Sequence, residues 1–358
     1  MVKNIDIQCL RGIAVLMVIL QHYKARVPTP ELYQEMFNVV QFWASVDIFF
    51  AISGYLIFKT FSENLHRSAT MWKAFVEFWD RRGRRLVPAL LFWMVVSVVL
   101  SVIATTIPDN DPIKTVESAI FGVLGVSNFY WWHCLQLASG SCGSGSFNGV
   151  TWSLSLEWQL YAVLSIFMCI FGNKKAVLLL FILSIISLLL TYRIFSLSWA
   201  TRSLGFSLGA LIAWASDGGR LEVISRTCVR KILLLAGLAV CLLAPRYFSK
   251  DAVIGVIGVG GALALLSTLG ECALFPSMLS KPLFWIGERS YSIYLCHLPC
   301  ILLTNEIMAR LDLLQPTPAH FIVAVLMVLP LVGVTGHYSF TLIENRFRRT
   351  AWARPGQT

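Results

Sequence analysis

An arginine and a histidine lie eleven residues apart in the first apolar stretch of the chain, LRGIAVLMVILQH (residues 10–22). At 100° per residue this spacing ends about 20° past three full turns, so it places Arg11 and His22 on one helix face, roughly 16 Å apart along the axis. The imidazole of His22, with an ordinary pKa of about 6.5, can act as a general base. A guanidinium within hydrocarbon costs at least about 2.5 kcal/mol. The pattern favours a functional pair, and the alternative is an interfacial histidine with a snorkelling arginine.

A carboxylate interrupts the second apolar stretch, FWASVDIFFAISGYLIF. Asp47 is predicted to pair with Arg11 or to orient His22, and a purely structural ion pair is an equally good interpretation. Ser53 and Gly54 follow one to two turns later, where the glycine permits the close approach of a helix or a ligand.

Four arginines in five residues precede the third apolar stretch, in DRRGRRLVP. Anchoring on the cytoplasmic side of the membrane, where loops are enriched in basic residues, accounts for Arg81 and Arg84. The forked guanidinium donors also suit phosphate, which favours a phosphate-bearing cytoplasmic ligand. Pro88 is predicted to mark the start of the span that follows.

Two further stretches combine aromatic and titratable residues. GVTWSLSLEWQLY places Trp152, Glu157 and Trp158 at the opening of one span, where aromatic faces suit a sugar as well as they suit a membrane interface. Glu157 can alternatively complement the helix dipole. GERSYSIYLCHLP places Tyr294 and His297 one helical turn apart, either at a site or as a satisfied core histidine.

Membrane-spanning helices must position these residues. The 358-residue chain is 57% hydrophobic and 13% charged, with a mean hydropathy of +0.70, whereas a soluble domain is about 25% charged. The predicted fold is all-α, a polytopic membrane protein with about ten transmembrane helices. The predicted spans are 7–23, 40–60, 86–107, 152–171, 175–193, 202–216, 232–244, 252–270, 284–304 and 319–341. A partly apolar segment, 117–133, is predicted to lie at the outer face or to be re-entrant.

The basic residues decide the orientation. With ten spans and both termini cytoplasmic, 20 basic residues lie inside and eight outside, which is the bias expected of inner loops. An eleventh full span at 117–133 would reverse part of this distribution. The net charge of +10 is therefore a topology signal, and it does not indicate nucleic-acid binding.

Nine cysteines are scattered through mostly apolar sequence, without a CxxC pair or the spacing of a zinc site. Cys134 and Cys142 flank a Gly/Ser-rich loop and can form a disulfide if that loop faces an oxidising compartment. No cleavage site follows the first apolar stretch, so this span is predicted to be retained. Residues 1–358 are interpreted as one membrane domain without an appended soluble domain and without a metal.

Six stretches together resemble the acyltransferase type 3 family of integral membrane acyltransferases over nearly the whole chain. They are LRGIAVLMVILQH, DIFFAISGYLI, RRGRRLVP, TWSLSLEWQLY, GERSYSIYLCHLP and a closing IENRF. The resemblance implies transfer of an acyl group, most often acetyl, from a cytoplasmic acyl-CoA to a carbohydrate hydroxyl at or beyond the outer face. It also implies location in a bacterial cytoplasmic (inner) membrane, with membrane lipids around the protein.

The resemblance also implies roles for individual residues. His22 would be the catalytic histidine and Arg11 its companion. Asp47 is added to this predicted catalytic group from its position in the second apolar stretch. Arg82 and Arg85 would hold the phosphates of coenzyme A, and Ser53 and Gly54 would help line the donor site. Glu157 would line the acceptor-side pocket. The residue pattern adds four further predicted acceptor contacts, which are Trp152, Trp158, Tyr294 and His297.

Several alternatives stay open from the sequence. Cys296 stands where many family members have tryptophan, and the esterase-like domain carried by some members is missing. The acceptor can be a surface polysaccharide, a lipid-linked oligosaccharide or a glycoside, and His22 can act as a base or as an acyl carrier. A transporter of an anionic or sugar substrate is the competing hypothesis, although the repeats typical of carriers are not found. A non-catalytic membrane scaffold is the third.

Overall fold

The computed structural model describes residues 4–24, 26–136, 146–189, 197–217, 226–249, 252–270 and 272–350. All the regular elements in these ranges are helices. They are α1 (Ile5–Tyr23), α2 (Glu31–Met36), α3 (Ser45–Arg67), α4 (Met71–Ile103), α5 (Pro112–Val123), α6 (Ser127–Gln136), α7 (Thr151–Leu189), α8 (Leu197–Ala200), α9 (Leu204–Asp217), α10 (Thr227–Tyr247), α11 (Val253–Ser267), α12 (Ser277–Glu288), α13 (Ser290–Arg310), α14 (Pro318–Tyr338), a π-helix (Ser339–Glu344) and α15 (Asn345–Thr350).

Seven helical stretches of the described chain are long and apolar enough to cross a membrane, and two shorter apolar helices, Leu204–Ser216 and Val253–Ser267, accompany them. The all-α fold and the integral membrane character are therefore confirmed. Each of the ten apolar segments predicted from the sequence overlaps a helix. The number of crossings and their orientation stay predictions.

A glycine accounts for part of the difference between ten segments and seven helices. Gly172 interrupts α7 with φ 77° and ψ 165°, a backbone conformation that glycine adopts without the steric cost of a Cβ atom. This break separates the two spans predicted at 152–171 and 175–193. The end of the second of them lies outside the described residues.

Two predicted boundaries are wrong. The arginine segment before the third span is helical and belongs to α4, so Pro88 lies inside a helix and not at its start. Apolar and basic residues continue one helix here because arginine has a helix propensity close to that of leucine. The predicted span 284–304 is divided at Arg289, where α12 ends and α13 begins.

The segment 117–133 forms parts of α5 and α6, which are 12 and 10 residues long. Each is shorter than the roughly 17–25 residues that a span requires. Asp111 caps α5 by accepting hydrogen bonds from the backbone N–H groups of Ile113 and Lys114. These short helices agree with the predicted outer-face or re-entrant segment. Cys142, the predicted partner of Cys134, lies outside the described residues.

The chain forms two compact units, each built from three separate stretches of sequence. The first unit comprises Met1–Gln21, Met36–Phe75 and Leu156–Glu288. Within it, α3 and α9 are in backbone contact, because a Cβ atom at Gly54 would overlap the carbonyl oxygen of Phe206 and one at Gly209 would overlap that of Ala51. Helix packing thus accounts for Gly54.

The second unit comprises His22–Glu35, Val76–Ser155 and Arg289–Thr358. Its central element is α13, which is buried along most of its length. Tyr291 donates to the carbonyl of Leu86 at 2.8 Å, and Glu306 accepts from the backbone N–H groups of Thr105 and Thr106 at 3.2 and 3.0 Å. Both ends of α13 are therefore fixed by hydrogen bonds to residues of α4 and the turn after it.

Candidate active site

Two histidines from α1 and α13 form a direct hydrogen bond in the second unit. Nδ1 of His22 lies 2.8 Å from Nε2 of His297, with the ring centroids 5.0 Å apart. His297 is fully buried and His22 is partly exposed. The predicted helix from Arg11 to His22 is confirmed, since α1 is continuous from Ile5 to Tyr23. The partner of His22 is 275 residues away in the sequence, which no local pattern reveals.

A backbone carbonyl sets the tautomers of this pair. Nδ1 of His297 lies 2.7 Å from the carbonyl oxygen of Tyr294. Because a carbonyl oxygen only accepts, Nδ1 of His297 carries the proton and Nε2 of its neutral ring is an acceptor. His22 must then donate through Nδ1, which leaves the lone pair of a neutral His22 on Nε2. This arrangement makes Nε2 of His22 a base or a nucleophile.

Tyr294 is itself held in place. Its hydroxyl lies 2.7 Å from the hydroxyl of Ser153 and 3.3 Å from the carbonyl oxygen of Val150, and both residues are buried. The predicted proximity of Tyr294 and His297 is present, with their rings 5.6 Å apart. Both ring nitrogens of His297 are engaged, however, so the geometry favours positioning of His22 over the acceptor binding predicted for His297.

A second cluster lies in the first unit, around Glu157. Its carboxylate accepts hydrogen bonds from the hydroxyls of Ser53 and Tyr161. The sequence prediction placed Ser53 and Glu157 at different substrates and missed Tyr161, which lies one turn after Glu157 on α7 and was detectable from that spacing. Trp158 occupies the adjacent position on α7 and is partly buried, as is Trp152 in the second unit.

Asp47 pairs with a residue that the sequence interpretation overlooked. Its carboxylate lies 3.4 Å from the guanidinium of Arg202, and both side chains are buried. Arg202 also lies over the rings of Trp43 and Trp199, at 5.6 and 5.2 Å. The partners predicted for Asp47 were Arg11 and His22, and the structural ion pair is the alternative that the structure shows. Arg11 is partly buried in α1, and its role stays a prediction.

The four clustered arginines divide into two groups once they lie on one helix. Arg81 and Arg84 are paired one turn back with Glu77 and Asp80. The other two, Arg82 and Arg85, are one turn apart on another face of α4. The guanidinium of Arg82 lies 5.8 Å from the centre of the Phe78 ring.

Arg85 forms an ion pair with a buried carboxylate. Nε of Arg85 donates to Glu344 at 3.1 Å, and Ser292 donates to the second oxygen of Glu344 at 3.2 Å. Glu344 ends the π-helix and is 1% exposed. π-Helical turns occur frequently at functional sites. Within the closing stretch IENRF, Glu344 is therefore a residue that contacts Arg85, one of the two predicted phosphate-binding arginines.

Replacing Arg85 by alanine is expected to have two separable effects. It leaves the buried carboxylate of Glu344 without its charged donor, at a cost of about 1–3 kcal/mol in stability, and it weakens acyl-CoA binding if Arg85 contacts the donor. The double variant Arg85→Ala/Glu344→Gln should regain the thermal stability measured in detergent. A donor KM that also returns to the wild-type value in the double variant would remove Arg85 from the donor site.

Comparison with known proteins gives the family. The model of the family described as an acyltransferase domain matches residues 4–337. The peptidoglycan O-acetyltransferase OatA of Listeria monocytogenes is 28% identical over 342 residues, covering 86% of this chain and 51% of that protein. The O-acetyltransferase OatA of Staphylococcus aureus (strain NCTC 8325 / PS 47) is 29% identical over 333 residues, covering 83% and 50%.

The chain thus spans about half the length of the curated relatives it matches. No solved structure matches it. Among the described residues, no group of three or more His, Cys, Asp or Glu side chains could hold a metal ion. The extent of the family match, together with the helical membrane fold, shows that the chain belongs to the acyltransferase type 3 family.

Proposed function

We propose that the protein is a membrane O-acetyltransferase that transfers an acetyl group from acetyl-CoA, or another acyl group from its coenzyme A thioester, to a carbohydrate hydroxyl. The observation that carries this proposal is the hydrogen-bonded series from the Tyr294 carbonyl through His297 to His22. It presents a neutral imidazole with its lone pair on Nε2, which is what proton abstraction from a hydroxyl requires. Family membership supplies the reaction class.

The chemistry at His22 can be written with its bonds balanced. Nε2 takes the proton of the acceptor hydroxyl while the hydroxyl oxygen adds to the thioester carbonyl. The C–O bond forms and the C–S bond breaks, and the proton held by His22 passes to the leaving thiolate. In the alternative route Nε2 itself first takes the acyl group. Both routes need the tautomer that His297 fixes.

The donor and acceptor assignments extend the proposal. Arg82 and Arg85 would hold donor phosphates. In the first unit Glu157, with Ser53 and Tyr161 hydrogen-bonded to its carboxylate, is the proposed sugar contact together with Trp158. In the second unit Trp152 is the proposed sugar contact. The named relatives support a cell-envelope glycan such as peptidoglycan as the acceptor. A surface polysaccharide, a lipid-linked oligosaccharide and a glycoside fit the same chemistry. The location is then a bacterial cytoplasmic membrane.

The decisive experiment uses membranes that contain the protein, acetyl-CoA labelled in the acetyl group, and candidate glycans. We expect label in ester linkage to the glycan, released by mild base and absent from membranes without the protein. Movement of glycan or anion across the membrane without ester formation would instead support the transporter hypothesis and refute the proposal.

His297 provides a prediction for the positioning step. His297→Leu removes the acceptor for the Nδ1–H of His22, and loss of a hydrogen bond worth about 1–3 kcal/mol corresponds to a roughly 5- to 150-fold lower kcat. His297→Gln retains an oxygen acceptor and should recover part of the rate. Acetyl transfer per folded protein, measured for both variants, checks this. Equal losses in the two would indicate that His297 acts only through packing.

A further inference from the structure

Arg26 is fixed immediately beyond the end of α1, next to His22. Its guanidinium donates to the carbonyl oxygen of His22 at 3.1 Å. The side-chain amide of Asn305 donates to the carbonyl of Arg26. Asn305 and His297 both belong to α13, so one helix positions both the imidazole and the arginine. The guanidinium also interacts electrostatically with the imidazoles of His22 and His297.

The charge of Arg26 has no counter-ion among the described residues, unlike the charges of two fully buried arginines and of the partly buried Arg85. In the described part of the chain, Arg26 uses one of the five N–H donors of a guanidinium and has no carboxylate within ion-pair distance. Arg202, Arg230 and Arg85 each have one, from Asp47, Asp6 and Glu344 respectively. Burial also lowers the pKa of Arg26. The remaining N–H donors of this partly buried guanidinium can therefore receive an anion supplied from elsewhere.

Helix geometry separates this charge from the reacting atoms. Side chains of an α-helix lean toward its N-terminus, whereas its carbonyl groups point toward the C-terminus. The imidazole of His22 and the guanidinium bound to the His22 carbonyl are therefore displaced in opposite directions along the axis of α1. Their offset is on the order of one helical turn, about 5 Å. Arg26 is thus placed to meet a neighbouring group on a bound molecule and not the reacting carbonyl.

We propose that Arg26 binds an oxyanionic substituent, a carboxylate or a phosphate, of the acceptor, and that the acceptor is an acidic sugar. The proposal rests on the function assigned to His22. The end of α1 that carries Arg26 is the one that the charge pattern places on the outer side, where the acceptor is expected. Arginine forms paired hydrogen bonds to carboxylates and phosphates, which fixes the orientation of the sugar as well as its affinity.

The test compares two anionic sugars with a neutral sugar of the same ring. Binding of methyl glucuronide, glucose 6-phosphate and methyl glucoside to the full detergent-solubilised chain is measured by calorimetry. We expect at least one anionic sugar to bind about tenfold more tightly than the glucoside, because a charge-assisted hydrogen bond contributes about 1.5–3 kcal/mol. Which anion is preferred distinguishes carboxylate from phosphate. Equal binding of all three sugars would overturn the proposal.

Three variants assign the preference to Arg26. Arg26→Gln retains an N–H donor for the His22 carbonyl and removes the charge, so it should abolish the preference. Arg26→Lys should retain part of it, and Lys24→Gln, which removes a nearby charge, should leave it unchanged. Persistence of the preference in Arg26→Gln would refute the proposal.

Measurement of acetyl transfer to anionic and neutral acceptors tests this inference separately from the proposed function. In acetyl transfer, Arg26→Gln should raise KM for the anionic acceptor about tenfold or more and leave kcat for the neutral acceptor unchanged. An equal loss of kcat for both acceptors would indicate that the charge of Arg26 acts on the reacting atoms and not on an anionic group of the acceptor. That result would overturn the inference. A wild-type protein that transfers acetyl to none of the sugars would count against the proposed function, while the binding comparison still tests Arg26.

Discussion

Replacing His22 by alanine is expected to lower acetyl transfer by about 10²–10⁴-fold, the range that a positioned general base contributes. If Nε2 carries the acyl group, the loss is larger, because the intermediate cannot form. The measurement is labelled acetyl transferred to glycan per amount of folded protein in membranes. The partner His297 would keep its bond to the Tyr294 carbonyl, so the fold should be preserved.

His320→Ala is the matched control for that change. His320 lies at the start of α14, where its Nδ1 is 3.0 Å from the carbonyl of Gln315, and no role in transfer is assigned to it. We expect wild-type activity for this variant. Product formation by His22→Ala at the level of the control would falsify the role of His22 in either route.

Breaking the buried pair of Asp47 and Arg202 is expected to have the largest effect on stability. Arg202→Met leaves the carboxylate of Asp47 buried without its counter-ion, which typically costs about 3–5 kcal/mol. The variant should show a much lower midpoint of thermal unfolding in detergent and a smaller yield from membranes. Asp47→Asn leaves the guanidinium of Arg202 buried without its counter-ion, so it should also destabilise the protein.

The double variant Asp47→Leu/Arg202→Met decides what the pair does. Replacing both partners of a buried ion pair by apolar residues of similar volume is often neutral or stabilising, so stability should largely return. Wild-type acetyl transfer by the stable double variant would confine Asp47 to a structural role. A stable but inactive double variant would instead restore Asp47 to the catalytic group predicted from the sequence.

The sequence predicts what depends on local periodicity. Apolar stretches of sufficient length identify the spanning helices, and the spacing of Arg11 and His22 predicts one uninterrupted helix, which α1 is. The arginine segment shows the limit of this approach. Its charges suggested a loop, but helix propensity together with pairing to Glu77 and Asp80 extends α4 through it.

Contacts between distant parts of the chain could not be predicted. His22 and His297 are 275 residues apart, and Arg85 and Glu344 are 259 apart. Nothing in a single sequence determines which of several buried polar residues will meet. Asp47 illustrates the consequence. Arg11 and His22 were the partners predicted for it, whereas its partner in the structure, Arg202, follows 155 residues later and lies between α8 and α9.

The length of α4 has a consequence for the lipids around the protein. Its apolar part after the arginines, Leu86–Ile103, extends about 27 Å at 1.5 Å per residue, close to the roughly 30 Å hydrocarbon thickness of a bilayer. Arg82 and Arg85 consequently reach the depth of the phospholipid headgroups. If these cations hold donor phosphates as proposed, lipid phosphates would compete for them, and the ion pair with Glu344 would lower the affinity of Arg85 for anionic lipid.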